Sequence, residues 1–322
     1  MKRLSELFMR PATRAFMQEA RRTPGFSWID RLHGYIYARW TYLYISMGIG
    51  EHPVVRTLGP VREWIKQRFL SFVTSETPRQ ASATESTATF ADGYHGKVLS
   101  LEAATQLVTI NQEISLPNLE QVIPYVRARD LILENPDHIV VLDCPCRMAR
   151  EHPCLPLDVC LIIGEPFASL VIEHHPNHAR WITSGEAVEI LRAEEGRGHL
   201  HHAFFKDAML GRFYAICNCC TCCCGALQAQ RNGTPMLASS GYVCQVMTEA
   251  CVGCGRCEKL CPFDAIAVGE EPHVARVDPA RCMGCGLCVT HCPKEALSLE
   301  RDLEKAAPLE IHALMAATLE QG

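Results

Sequence analysis

Apolar residues in the first 73 positions recur at helical spacing. They predict helices over 4–22 and 27–48, and a third over 63–73 after the Gly59-Pro60 break. Ser27 stands where an N-cap belongs, and Trp28, Ile29, Leu32, Ile36, Trp40 and Leu43 form the apolar stripe behind it. Residues 74–89 lack bulky apolar side chains and predict a linker, because nothing in them offsets the entropy of ordering. From Tyr94 the pattern becomes mixed. Leu101–Ile110, behind Ser100, reads as a helix; so does 119–133 despite Pro124, and so does 184–195. The short runs 138–142, 159–163, 199–205 and 213–217 read as strands. After Leu299 a closing helix is expected, with Pro308 in its first turn and Leu309, Ile311, Leu314, Met315 and Leu319 on one stripe. The pattern predicts an α+β multidomain chain. Its parts are a helical region at 1–73, a Ser/Thr-rich linker at 74–93, an α/β module at 94–239, a separate segment at 240–300 and a C-terminal helix at 301–322.

The cysteines change this picture most. Cys251, Cys254, Cys257 and Cys261-Pro262 return 31 positions later as Cys282, Cys285, Cys288 and Cys292-Pro293, with Gly253 and Gly255 repeated as Gly284 and Gly286. Each half is the cysteine run that bacterial proteins use for a cubane 4Fe-4S cluster. Residues 240–300 therefore resemble the two-cluster bacterial ferredoxin domain. The resemblance implies two 4Fe-4S clusters with crossed ligand sets: Cys251, Cys254, Cys257 and Cys292 on one, and Cys282, Cys285, Cys288 and Cys261 on the other. Two zinc sites would also consume eight thiolates. Zinc ribbons, however, pair short Cys-x2-Cys knuckles and have no use for a duplicated four-cysteine run.

Ten further cysteines make the central α/β module cysteine-rich. The strand at 138–142 runs into Cys144, Pro145, Cys146 and Arg147, followed by Cys154 and Cys160. The strand at 213–217 runs into Cys217, Cys219, Cys220, Cys222, Cys223 and Cys224. If the two strands lie parallel in one sheet, both groups emerge at the same edge, and a shared metal site becomes feasible. The segments Cys144-Pro145-Cys146-Arg147 and Ile216-Cys217-Asn218-Cys219-Cys220, ahead of a ferredoxin-type domain, resemble those of a group of larger microbial 4Fe-4S proteins. That resemblance covers about residues 90–300 and implies no substrate. Six cysteines within eight residues cannot all serve one cubane, which takes four thiolates. One or two additional Fe-S clusters are expected, with zinc held by four cysteines or plain packing as the alternatives. Arg147 reads either as a donor to cluster sulfur or as a surface ion pair. His199 and His201 share a strand face as metal ligands, proton donors or ordinary partly buried histidines, while His202 faces away. His174, His175 and His178, beside Pro176, read as a loop.

Composition fits a globular protein, with 48% hydrophobic residues in 322. Nineteen cysteines at metal-ligand spacing argue for a reducing compartment, and no apolar signal core follows Met1-Lys2-Arg3, so the expectation is cytoplasmic. Charge is uneven. Residues 1–70 hold 12 Lys/Arg against 5 Asp/Glu, and the remainder 19 against 31. A basic, aromatic N-terminal region can lie at an anionic membrane surface or bury the same face in the protein. No phosphate-binding loop, dinucleotide fingerprint, serine elbow or nucleic-acid-binding signature is present. The expected function is relay of single electrons to a redox partner protein, with no nucleic acid involved. The alternative is a ferredoxin-fed reductase, an oxidoreductase component with its catalytic cluster or thiol in residues 144–224.

Overall fold

A computed structural model of the protein describes residues 9–57, 93–125 and 130–320. The helix expected at 63–73 and the linker through residue 92 lie outside the described residues.

The N-terminal region is helical, as its spacing predicts: α1 spans Pro11–Arg22, α2 Trp28–Arg39, α3 Thr41–Gly48 and α4 Pro53–Thr57. Ser27 caps α2 in a capping box: its hydroxyl accepts from Asp30 N at 3.2 Å, and its own N–H donates to Asp30 Oδ2 at 2.8 Å. The predicted helix over 27–48 breaks at Trp40, whose backbone leaves the helical region at φ −126, ψ 42. That break sets Tyr37 and Tyr44 edge to face, ring centres 5.0 Å apart, and buries both.

The central module begins with β1 (Tyr94–Leu99), α5 (Leu101–Thr109), β2 (Ile114–Leu116) and β3 (Leu131–Asp143). It continues through α6 (Pro145–Met148), β4 (Asp158–Glu165), α7 (Phe167–His174), β5 (Ala179–Ile182), α8 (Ser184–Gly196) and β6 (Leu200–Lys206). It closes with β7 (Arg212–Cys219), α9 (Gly225–Arg231) and β8 (Leu237–Ala238). One eight-stranded sheet runs β2-β3-β4-β7-β6-β1-β8, with β5 on β3 beyond β2. The helix expected over 119–133 is not there: Leu131 and Leu133 belong to β3, pairing antiparallel with Leu116 and Ile114. Pro124 denies a helix its N–H ladder, and Leu131 and Leu133 take the alternate positions that a strand buries. His174 and His175 likewise close α7, buried against the N-terminal helices, instead of lying in an open loop.

The sheet is covered on both faces. Val140, Leu142, Ile162, Phe204 and Ala215 face a core shared with Phe16, Tyr37, Tyr44 and α7. Ile139, Val141, Ile163, Phe205 and Ile216 face a second core with Leu107, Leu191, Leu309 and Ile311. The last two flank the start of the closing helix α12, which spans Ile311–Glu320 and begins three residues after Pro308. The N-terminal helices therefore share one core with the sheet.

Residues 242–301 form an interleaved pair of half-units: β9 (Tyr242–Val246), α10 (Arg256–Leu260), β10 (Ile266–Val268), β11 (Ala275–Val277), α11 (Leu287–Thr290) and β12 (Leu297–Arg301). The strand before the first cysteine run, β9, pairs with the strand after the second, β12. The strand after the first, β10, pairs with the strand before the second, β11. Each half completes the other.

Candidate metal centres

The sequence repeat is a repeat of geometry. Cys251 N donates to Met247 O at 3.1 Å, and 31 residues on Cys282 N donates to Asp278 O at 2.9 Å. Ala265 N donates to Cys261 Sγ at 3.3 Å, and Ala296 N to Cys292 Sγ at 3.4 Å. Gly253 and Gly284 adopt φ +63 and +64, and a Cβ would stand 2.4 Å from His273 O at the first and 2.3 Å from Tyr242 O at the second. Only glycine permits both the left-handed turn and that approach. A cavity of about 20 Å³ is lined by Cys251, Cys254 and Cys257 of the first run and by Cys292 of the second. On the other side, burial and the nearby Cys288, Cys261 and Cys282 push the Cys285 thiol up. Each group of sulfurs thus combines three close cysteines of one run with the last cysteine of the other. Four thiols beside backbone N–H donors fit a 4Fe-4S cube. Cys244, alone in the sequence, lies with its Sγ 3.5 Å from Cys288 Sγ, and its N–H donates to Cys282 Sγ at 3.5 Å.

In the module, β3 and β7 both run antiparallel to β4 and hence parallel to each other. Their cysteine-bearing ends meet at one edge. β4 starts from that edge, so Cys160 sits between its partners Leu142 on β3 and Cys217 on β7. Here lies a buried cavity of about 70 Å³, several times the roughly 10–15 Å³ that one water needs. Cys144, Cys146, Cys160, Cys217, Cys219, Cys220, Cys223 and Cys224 line it. Cys144 is held well below the ordinary thiol range by hydrogen bonds from Cys146 and Cys160. Burial opposes this, and the Arg147 N–H and charge reinforce it. Cys154 and Cys222 lie outside this wall, 2.8 Å apart.

The opposite wall comes from the N-terminal helices and the sheet. Tyr37, Thr41 and Ile45 close the cavity, together with Tyr94 and Tyr214. Tyr37 and Tyr214 share a hydrogen bond of 2.8 Å, and burial pushes both phenols up. Lys206, 1% exposed, places its ammonium 4.4 Å from the Tyr94 ring centre and 4.8 Å from that of Tyr37. Burial lowers it to about 7. These residues carry no motif and meet only through the fold.

Arg147 is not a surface residue and is among the residues that line the cavity. It is fully buried; its guanidinium bonds Glu194 at 2.5 Å, Asn218 O at 3.2 Å and Pro156 O. His199 Nδ1 lies 2.7 Å from Glu194 Oε2, and His201 pairs through Nδ1 with Asn218 Oδ1 at 2.5 Å. Both belong to this buried polar network. His202 is on the cysteine side, opposite Cys217 in register. It is buried with no hydrogen-bond partner at either nitrogen among the described residues, and burial lowers it to about 3.

Residues 238–296 match the family of 4Fe-4S dicluster domains. No curated protein matches the chain. The C-terminal part is thus a ferredoxin-type iron-sulfur domain. It packs directly on the module: Cys285 and Leu287 join the core that holds Cys219, Cys224 and Leu227, and Arg231 Nη2 donates to Pro262 O at 3.0 Å. No described helix is long and apolar enough to cross a membrane.

Proposed function

We propose that this chain is an iron-sulfur electron-transfer protein with two 4Fe-4S clusters in the ferredoxin-type domain and a further iron-sulfur centre in the buried cavity of the module. The ferredoxin-type sets are Cys251, Cys254, Cys257 with Cys292, and Cys282, Cys285, Cys288 with Cys261. The module set is drawn from Cys144, Cys146, Cys160, Cys217, Cys219 and Cys224. Bound clusters supply one-electron couples whose potentials follow from ligand set, hydrogen bonds and burial. The chain's own contribution is to hold thiols at fixed positions, to direct backbone N–H groups at the sulfurs and to exclude water. The observation that carries the reading is the single core into which Cys285 of one domain and Cys219 and Cys224 of the other are packed.

Iron and sulfide counts on anaerobically purified protein test it. More than about eight irons per chain are expected, with the surplus lost in Cys146→Ala and Cys219→Ala. About eight irons in all three proteins would reject the module centre. Cys254→Ser and Cys292→Ser should degrade one and the same reduced-cluster EPR signal, and Cys285→Ser the other.

The tyrosine wall favours a second reading, a ferredoxin-fed reductase. The eight thiols in the cavity lining exceed the four that a cubane takes, and Tyr37, Tyr94 and Tyr214 face the remaining space as hydrogen donors. Under this reading Tyr37→Phe slows a catalysed reduction while electron uptake by the protein is unchanged; a carrier shows no turnover to slow. Contact with an anionic membrane surface is supported by Trp28 and Trp40, 65% and 46% exposed on the basic N-terminal helices. Flotation with anionic vesicles, lost in the double variant Trp28→Ser, Trp40→Ser, would support it; no flotation of the wild type at low salt would end it.

A further inference from the structure

The ten module cysteines divide by how closely their sulfurs converge. The Sγ atoms of Cys154, Cys220, Cys222 and Cys223 all lie within 4.8 Å of one another. Among the described residues no other group of three or more Cys, His, Asp or Glu side chains converges so tightly. The two ferredoxin-type sets are spread wider than this, as four thiols must be when each binds a different corner of a cube. They serve as an internal standard within the same molecule.

A single tetrahedral ion needs the opposite arrangement. With metal–sulfur bonds of about 2.3 Å, the edges of a sulfur tetrahedron are about 3.8 Å, inside the span of this group and too short for a cube. We propose that Cys154, Cys220, Cys222 and Cys223 form a mononuclear tetrathiolate site for Zn²⁺ at the border of the cavity, whose lining includes Cys220 and Cys223 but neither Cys154 nor Cys222. Four thiolates and no open position make it structural.

The surroundings fit a site built to hold its loop. The carbonyls of three consecutive residues are each held by a side chain: Thr221 O by Arg231 Nη1 at 3.3 Å, Cys222 O by Gln228 Nε2 at 3.1 Å and Cys223 O by Arg150 Nη2 at 3.2 Å. Arg150 also donates to Gln228 Oε1 at 2.7 Å, tying the holders together. Such outer contacts orient ligating side chains before the metal arrives. Cys154 comes from the loop between α6 and β4, the same loop whose Pro156 O accepts from Arg147. The ion would fasten that loop to the turn before α9, which supplies Cys220 and Cys223 to the cavity lining. Zinc is preferred over a lone iron because Cys222 is exposed and Cys154 half-buried. A redox-silent ion is indifferent to the water that reaches it.

Metal analysis and zinc X-ray absorption on the full-length, anaerobically purified protein test this. One zinc per chain with four sulfurs at about 2.3 Å is expected. In Cys154→Ser and Cys222→Ser the zinc should fall at least tenfold while iron stays at the wild-type count. The wild-type spectrum stands whether or not the variants fold. Three outcomes overturn the assignment: zinc below a tenth of an equivalent in the wild type, iron in place of zinc at these sulfurs, or a metal-free disulfide between Cys154 and Cys222. None of them bears on the ferredoxin-type clusters, so this failure is distinct from a failure of the electron-transfer reading.

Discussion

Thr290 Oγ1 donates to Glu195 Oε1 at 2.7 Å, a bond that crosses from the ferredoxin-type domain to the module. Thr290 ends α11, two residues after Cys288, and Glu195 belongs to α8. The other oxygen of the same carboxylate lies 3.1 Å from His201 Nε2, and His201 bonds Asn218, between the cavity residues Cys217 and Cys219. One buried carboxylate thus joins the second cysteine run to the strand that carries the module's cysteines. Thr290→Val removes a donor from a charge only 2% exposed, and should cost about 1–3 kcal/mol. Urea unfolding measures it. Iron content should remain at the wild-type value, because no thiol is touched.

The Arg147–Glu194 pair is the most buried ion pair among the described residues, with both side chains 1% exposed. Glu194→Gln leaves the guanidinium without its counter-charge and should destabilise by about 3–5 kcal/mol, well above a surface pair. Chemical unfolding of Glu194→Gln against Arg180→Gln, an exposed pair partner, separates the two cases. Equal small losses would contradict the burial.

Two buried lysines set a pH dependence. Lys97 and Lys206 are both lowered to about 7 by burial, from an ordinary 10.5. Between those values the unfolded chain binds more protons than the folded one, so stability rises with pH through this window and falls as pH returns toward 7. The urea midpoint should therefore increase from pH 7 to about 9, and Lys206→Met should flatten the increase. A midpoint that falls over this range in the wild type would contradict the assignment.

How far the sequence could be read depended on whether a feature was periodic or assembled at a distance. The repeat at 251–293 was legible residue by residue because its cysteines sit in local turns, with matching hydrogen bonds at Cys251 and Cys282, 31 residues apart. The shared edge for Cys144 and Cys217 was legible as a condition on strand direction, and the pairing of both strands with β4 meets it. Leu119, Val122, Ile123, Leu131 and Leu133 fit helical spacing almost as well as the turn and strand they form; Pro124 was the signal against the helix. The division of Cys217–Cys224 was not legible. Cys217 and Cys219 are strand residues, Cys220–Cys223 lie in a turn and Cys224 precedes α9, so one run of six is divided among a strand end, a turn and a helix start. The burial of Arg147 and the wall of Tyr37, Tyr94 and Tyr214 depend on contacts between segments more than 40 residues apart, which no local pattern encodes.

The central claim is that electrons entering the ferredoxin-type domain reach a further iron-sulfur centre in the module. Anaerobic reductive titration of the full-length chain, counting electrons taken up per chain with EPR at each step, tests it most directly. The account predicts at least three one-electron steps, roughly one per cluster, in the wild type and two in Cys146→Ala. Two steps in both proteins would contradict it.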